Sequence, residues 1–287
     1  MDLIDSPRQG RLRGRALLLS ASVPAIERAE IYRRIEAAEA IEEAVVSLAR
    51  AVLSEGGTLV CGGHPTISPL LALVVREYVT PRLAERPAGS EDDVRAGPQV
   101  EIYQSEVYRE RIAEATQRLQ RQPGVSVHWV AAAPGEFVDP EVRDRPQAPE
   151  SLRRMRLAMV QRSDLAAMVC IGGMEGVEDE ARLFHECCRR LPVYVLESTG
   201  GAAAELARHA PDEDWLRVPE RGVRETVEAF WRGSGAGEGQ GGAGESRRAG
   251  DNEGEREQSF AFPYAYLAQK IVAEVIRADP SRQRRRD

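Results

Sequence analysis

Short apolar runs alternate along this chain with longer stretches in which apolar positions recur every three or four residues. The runs at 16–20 (ALLLS), 58–61, 100–103, 125–130, 165–171 and 193–196 have the length and composition of strands covered on both faces. After the first of them, Ile31, Ile35, Ala38, Ile41, Val45, Leu48 and Val52 mark one face of a helix over 27–54. Ser54-Glu55-Gly56-Gly57 closes that helix, as glycine does at a helix C-terminus. A second helix is predicted to run to about Val79, capped by Thr66 or Ser68 with Pro69 in its first turn. Further helices are predicted over 108–120, 151–162, 178–191, 202–209 and 222–231. This β-α-β-α order predicts an α/β fold whose mainly parallel sheet carries helices on both faces.

The intervening segments divide the chain. Residues 82–98 read as a surface loop, and 132–148, punctuated by prolines and mixed charge, as a long irregular segment of the kind that tends to carry function. Residues 1–15 are polar and arginine-dotted and read as a flexible N-terminal segment. A single core domain is expected over 16–232. Residues 233–258 are glycine- and charge-rich with almost nothing apolar, which makes them a linker. Over 259–287, Phe260, Phe262, Tyr264, Tyr266, Leu267, Ile271 and Ile276 outline an amphipathic helix that needs a core surface to dock on, its own or a second subunit's, before a basic tip.

Composition narrows the partners. The 287 residues are 42% hydrophobic and 30% charged with a formal charge of −7, so no global field recruits nucleic acid or an anionic membrane. No apolar run approaches the roughly 20 residues of a spanning helix. Of the four cysteines, Cys187 and Cys188 are adjacent and none forms a CxxC, which fits neither a disulfide framework nor a zinc site and favours a reducing cytoplasm. His128, His185 and Trp129 lack ligand spacing, and Cys170 reads as a small buried hydrophobe. No metal site or cofactor is expected.

The chemistry gathers at three glycine turns, each between an apolar run and a helix. In Cys61-Gly62-Gly63-His64-Pro65-Thr66 no acidic residue stands near, so main-chain N–H groups, the Thr66 and Ser68 hydroxyls and a helix N-terminus suit an anion. His64 is either a donor to a phosphate or a polar turn residue. In Ile171-Gly172-Gly173-Met174-Glu175-Gly176 the helix start is crowded by Glu175, Glu178, Asp179 and Glu180, which repel phosphate and suit ribose hydroxyls. Among them Glu180 is the candidate general acid or base, with an acid-rich helix cap as the alternative. Ser198-Thr199-Gly200-Gly201 can hold a second anionic group. Arg156 either points into the same crevice or is solvated beside Arg153, Arg154 and Arg162. Ser20 and Ser22, at the turn leaving the first strand, complete the expected ligand contacts.

The blocks ALLLSAS, LVCGGHPTISPL, MRLAMVQRSDLAAMVCIGGMEGVEDEARL and PVYVLESTGGAA, in this order, resemble the SLOG superfamily over about 16–231. That group includes Lonely Guy phosphoribohydrolases, the DNA-processing protein DprA, sensor domains of melastatin-type TRP channels and nucleotide-sensing domains of prokaryotic defence systems. The resemblance implies a Rossmann-like fold and a nucleotide-shaped cleft. In the phosphoribohydrolases the second turn reads GGxGTxxE and follows an arginine-bearing helix; the turn holds the phosphate, and the glutamate and arginine are catalytic. Here Gly172, Gly173, Gly176 and Glu180 match with one residue inserted, and Val177 replaces the threonine. Counting back from Met159 puts Met155, between Arg154 and Arg156, at the place of the arginine. The expected function is therefore that of a nucleotide-binding sensor, with phosphate at Gly62 and Gly63, sugar near Gly173 to Glu180, and output through a homodimer or a separate effector protein. An N-glycosidic hydrolase using Glu180 and Arg156 is the alternative.

Overall fold

The computed structural model describes residues 10–24, 37–79, 99–139, 141, 147–234 and 263–278. The predicted loop at 82–98, the linker and the first turns of the first helix lie wholly or mostly outside these residues.

Seven parallel strands form one sheet in the order β4-β3-β2-β1-β5-β6-β7. They are β1 (Ala16–Ser22), β2 (Thr58–Gly62), β3 (Gln99–Ser105), β4 (Val125–Val130), β5 (Leu165–Gly172), β6 (Val193–Leu196) and β7 (Leu216–Arg217). Central β5 is buried at every position, as a parallel strand covered on both faces must be. At two residues, β7 is too short to leave a periodic signal, and the apolar pattern did not predict it.

The helices are α1 (Ala37–Ser54), α2 (Ser68–Tyr78), α3 (Glu114–Gln120), α4 (Pro149–Val160), α5 (Glu175–Cys187), α6 (Gly201–His209), α7 (Pro219–Ser234) and α8 (Tyr264–Arg277). One face of the sheet packs against α1, α2 and α8 through Ile41, Val45, Leu48, Val52, Leu71, Val74 and Ile271, among others. The other face packs against α4, α5 and α6 through Met155, Met159, Phe184 and Leu206.

Two expectations need correction. Residues 108–120 are not one helix: a 3₁₀ turn at Glu106–Arg111 and α3 are separated by extended backbone at Ile112 and Ala113. The first segment buries no residue, so it has no apolar face to dock as a helix. Neither Thr66 nor Ser68 caps α2; the N-cap is Ile67, and Ser68 Oγ donates to His64 O at 2.8 Å.

The C-terminal helix docks on the chain's own core. α8 lies along α1 and against α7, with Leu267, Ile271, Val272 and Val275 buried. Three polar contacts pin it: Arg15 Nη1 donates to Val275 O at 3.0 Å, Tyr194 Oη to Glu274 Oε2 at 3.1 Å, and Tyr264 Oη shares a hydrogen bond with Ser198 Oγ at 2.7 Å. Among the described residues no helix is long and apolar enough to cross a membrane.

The connection from β4 returns across the sheet through α4, which packs on β2, β3 and β4, to place β5 beside β1. From there α1 and α5 leave toward opposite faces. A crevice opens at the carboxyl ends of the strands wherever neighbouring connections diverge in this way.

If α8 is part of the core, truncating Ile271, which is fully buried, lowers the unfolding free energy by about 2–5 kcal/mol. Tyr266 is 57% exposed on the same helix, and Tyr266→Ala stays within about 0.5 kcal/mol of the parent. Urea unfolding of the two variants checks this; equal effects would mean that α8 does not seat on α1 in solution.

Candidate functional site

A cavity of about 460 Å³ occupies that crevice, within the usual range for small-molecule sites of about 300–1,000 Å³. The ends of β1 and β2, Gln104 of β3 and the starts of α4 and α5 line it, together with Tyr108 and Arg111 to Ala113.

The first glycine turn is knitted together internally. Gly63 N–H donates to Tyr103 O at 3.3 Å, Ile67 and Ser68 N–H to His64 O at 3.2 and 2.9 Å, and Thr66 N–H to His64 Nδ1 at 3.3 Å. Thr66 Oγ1 accepts Val23 N–H at 3.3 Å, and Ser68 Oγ shares a hydrogen bond with Thr116 Oγ1 at 2.8 Å. The hydroxyls and several of the N–H groups expected to face an anion thus hold the loop. Gly63 leaves room for Gln104, since a Cβ there would lie 2.1 Å from Gln104 Nε2, an amide that itself donates to Gly63 O. His64 is the polar side chain this turn turns to the cavity. Its Nδ1 edge is engaged by Thr66, with Oγ1 at 2.8 Å and the main-chain N–H at 3.3 Å. Burial lowers the imidazole pKa to about 4, so at neutral pH the ring is uncharged.

The second and third glycine turns brace each other behind the wall. Gly172 and Gly173 have φ of 57° and 87°, and a Cβ on either would lie 2.4 Å from Ile41 Cδ1 or 2.2 Å from Val177 Cγ2. Gly172 N–H donates to Thr199 Oγ1 and Gly173 N–H to Ser22 O, both at 2.8 Å, while Gly173 O accepts Ala202 N–H at 3.0 Å. Gly201, at φ 57°, sits so close that a Cβ would lie 2.5 Å from Gly173 O. Thr199, Gly200 and Gly201 therefore do not line the cavity where a second anion was expected, and Gly172 and Gly173 are set back from it as well. Their packing aims the start of α5, from Met174 to Glu180, at the cavity.

That start forms the acidic end. Glu180, its side chain 14% exposed, accepts Ser20 Oγ–H at 2.5 Å and Arg156 Nε–H at 3.3 Å. Arg156 also reaches Asp179 Oδ2 at 3.1 Å. Gly176 makes room for this fork, because a Cβ there would lie 2.9 Å from Arg156 Nη2. Burial raises the Glu180 carboxyl above the usual range, opposed by the Arg156 charge and by hydrogen bonds from Ser20 and Arg156.

The helix that carries Arg156 is set by the long irregular segment. Its N-cap, Ala148, is left-handed at φ 53° and has no capping oxygen. Glu136 supplies one from outside, accepting Glu150 N–H at 2.9 Å and Ser151 N–H at 2.7 Å, while Ser151 Oγ accepts Ala133 N–H at 2.8 Å. Hydrogen bonding by Ser151 leads the causes that hold the Glu136 carboxyl below its ordinary range.

The SLOG cluster3 family model matches residues 32–217, more than half of the chain. The chain belongs to the SLOG cluster3 family. No curated protein matches it. A solved structure, that of the structural-genomics target TM1055, aligns over 68% of this chain and 81% of its own at 15% identity, with a TM-score of 0.38. The SLOG match runs from α1 to β7 and so takes in all three glycine turns, but not β1 with Ser20 and Ser22. Membership implies a nucleotide-related binding domain.

The expected contacts Ser20, Ser22, Gly62, Gly63, His64, Glu175, Gly176, Glu180 and Arg156 meet at one cavity, whereas Thr66 does not line it. Reading the sequence missed Gln104, Tyr108, Arg111 and the Leu152–Met155 wall. Among the described residues no cluster of histidine, cysteine and carboxylate groups is arranged to hold a metal ion.

His64 carries a pH signature. Its folded value of about 4 lies below the ordinary 6.5, so the unfolded chain takes up the proton first. The stability supplied by the neutral ring is whole above about pH 6.5 and is lost as pH falls from there through about 4. His64→Gln should flatten this part of the unfolding free energy measured in urea between pH 7 and 4; an unchanged slope would mean that the ring titrates in the fold as in the open chain.

Proposed function

We propose that the cavity binds a nucleotide or nucleotide-derived signal, and that the protein acts as a sensor for it. The observation that carries this reading is the division of the cavity into two chemically different ends. Around the first glycine turn the wall offers the neutral His64 imidazole, small residues and no carboxylate within the turn itself, which suits the phosphate end. Around α5 it offers Glu175, Asp179 and Glu180, which suit ribose hydroxyls and disfavour phosphate. Ile67, Ile112, Leu152 and Met155 supply the apolar surface a base requires. Output passes to a second copy or to an effector protein, as in prokaryotic defence systems that use related domains.

A second reading is favoured by one group of contacts. Glu180 is a carboxyl with a raised pKa, oriented by Ser20 and paired with Arg156 at the sugar end, which is the equipment of a general acid or base at a glycosidic carbon. In that case the protein is an N-glycosidic hydrolase and releases free base from a nucleotide.

A nucleotide at about 100 times its dissociation constant adds roughly 2.7 kcal/mol of stability, or about 5–10 °C in Tm. Thermal melts with a panel of nucleoside mono- and diphosphates should show such a shift, and its absence throughout the panel would sink the nucleotide reading. Chromatography of the same mixtures separates the two functions. Free base accumulating with wild type and not with Glu180→Gln, which keeps shape and loses the titratable proton, would establish the hydrolase; no base from any of them supports the sensor.

A further inference from the structure

The 3₁₀ turn at Glu106–Arg111 forms the side of the cavity that no glycine motif announces. In a 3₁₀ helix residues three apart stand eclipsed, so Tyr108 and Arg111 share a face, and both line the cavity. Tyr108 is held in place by its Oη, which donates to Gln147 O at 2.8 Å. The other arginine of the turn is occupied elsewhere: Arg109 pairs with Glu106 at 2.9 Å and lies 3.9 Å over the Trp129 ring. Beyond Arg111 the extended residues Ile112 and Ala113 continue the wall to Thr116, whose hydroxyl meets Ser68 of the first glycine turn at 2.8 Å. Arg111 therefore stands on the His64 side of the cavity.

The charges of the wall make Arg111 distinctive. Arg156 is matched by Asp179 and Glu180, and His64 is neutral at pH 7. Arg111 has no carboxylate partner among the described residues. An arginine offers a planar fork of five donors suited to phosphate oxygens. The first glycine turn, with several of its N–H groups already committed, supplies shape at this end but little charge.

We propose that Tyr108 and Arg111 are ligand-recognition residues of this protein: Arg111 binds the phosphate of a nucleoside phosphate, and the Tyr108 ring stacks on its base. The assignment rests on the nucleotide reading. It makes the 3₁₀ turn, rather than the glycine main chain, the element that selects phosphorylated ligands over free nucleosides.

Calorimetric titration of the full chain with the four common ribonucleoside 5′-monophosphates and their nucleosides tests it. Arg111→Gln should weaken the monophosphate that wild type binds best by about 10- to 100-fold. The matching nucleoside should change less than twofold, and Arg111→Lys should recover part of the loss. Tyr108→Leu should weaken both ligands. Full monophosphate affinity in Arg111→Gln, or an equal loss for nucleotide and nucleoside, overturns the assignment and leaves the nucleotide reading standing. A wild-type protein that binds none of the eight overturns both. Arg111 is exposed, so an unchanged melting temperature of the unliganded variant shows that the loss is not one of folding.

Discussion

The structure depends on how closely three strand-end turns approach one another beside β5. Gly173 gives its N–H to Ser22 O after β1 and accepts from Ala202 after β6, while Gly201 rests against its carbonyl. No side chain fits at Gly172, Gly173 or Gly201, and all three have positive φ, which glycine adopts without strain. This contact fixes the direction in which α5 leaves the sheet. The direction of α5 then decides that Glu180 meets Ser20 and that Arg156 can lie over Gly176. The glycines expected to contact a ligand are thus the joint on which the cavity-lining start of α5 is mounted.

The cavity is also organised by what it neutralises internally. Four carboxylates crowd one helix start and would repel one another; three of them line the cavity, and Arg156 offsets two of these from α4. That placement relies on Glu136, which holds the first turn of α4 from a segment with no regular structure of its own. Far from the cavity, Arg162 performs a similar service at the other end of α4, bonding Glu101, Asp164 and Tyr103. Both ends of α4 are therefore tied to other elements by charged hydrogen bonds, which are stronger than neutral ones.

Much of the fold was legible because buried parallel strands are continuous apolar runs and their helices carry a three-to-four spacing. Ala16–Ser22, Val125–Val130 and Val193–Leu196 match the runs nearly residue for residue. The site was legible where a local motif marks it, as at Gly62, Gly63, Gly176 and Glu180. Legibility failed where the deciding contact spans a long stretch of chain. Nothing near Thr199 says that its hydroxyl will take up Gly172 N–H, and nothing near Ser20 points to Glu180, 160 residues on. Tyr108 and Arg111 escaped notice because a continuous helix over 108–120 was the simplest reading of their neighbourhood. The break at Ile112 and Ala113 is a backbone choice without a glycine or proline to signal it.

The brace formed by the third turn reaches beyond the residues that define the family. Glu220, 1% exposed at the start of α7, accepts Glu197 N–H, Ser198 N–H and Ser198 Oγ–H, and the same hydroxyl meets Tyr264 of α8. On the other side, β1 lies before residue 32 and supplies both the Ser22 carbonyl under Gly173 and the Ser20 hydroxyl on Glu180. The stretch recognisable by descent is accordingly not a physically autonomous unit in this protein. Its cavity-lining end is held from outside at two places, so the angle at which the motif is presented depends on residues that the family signature does not include.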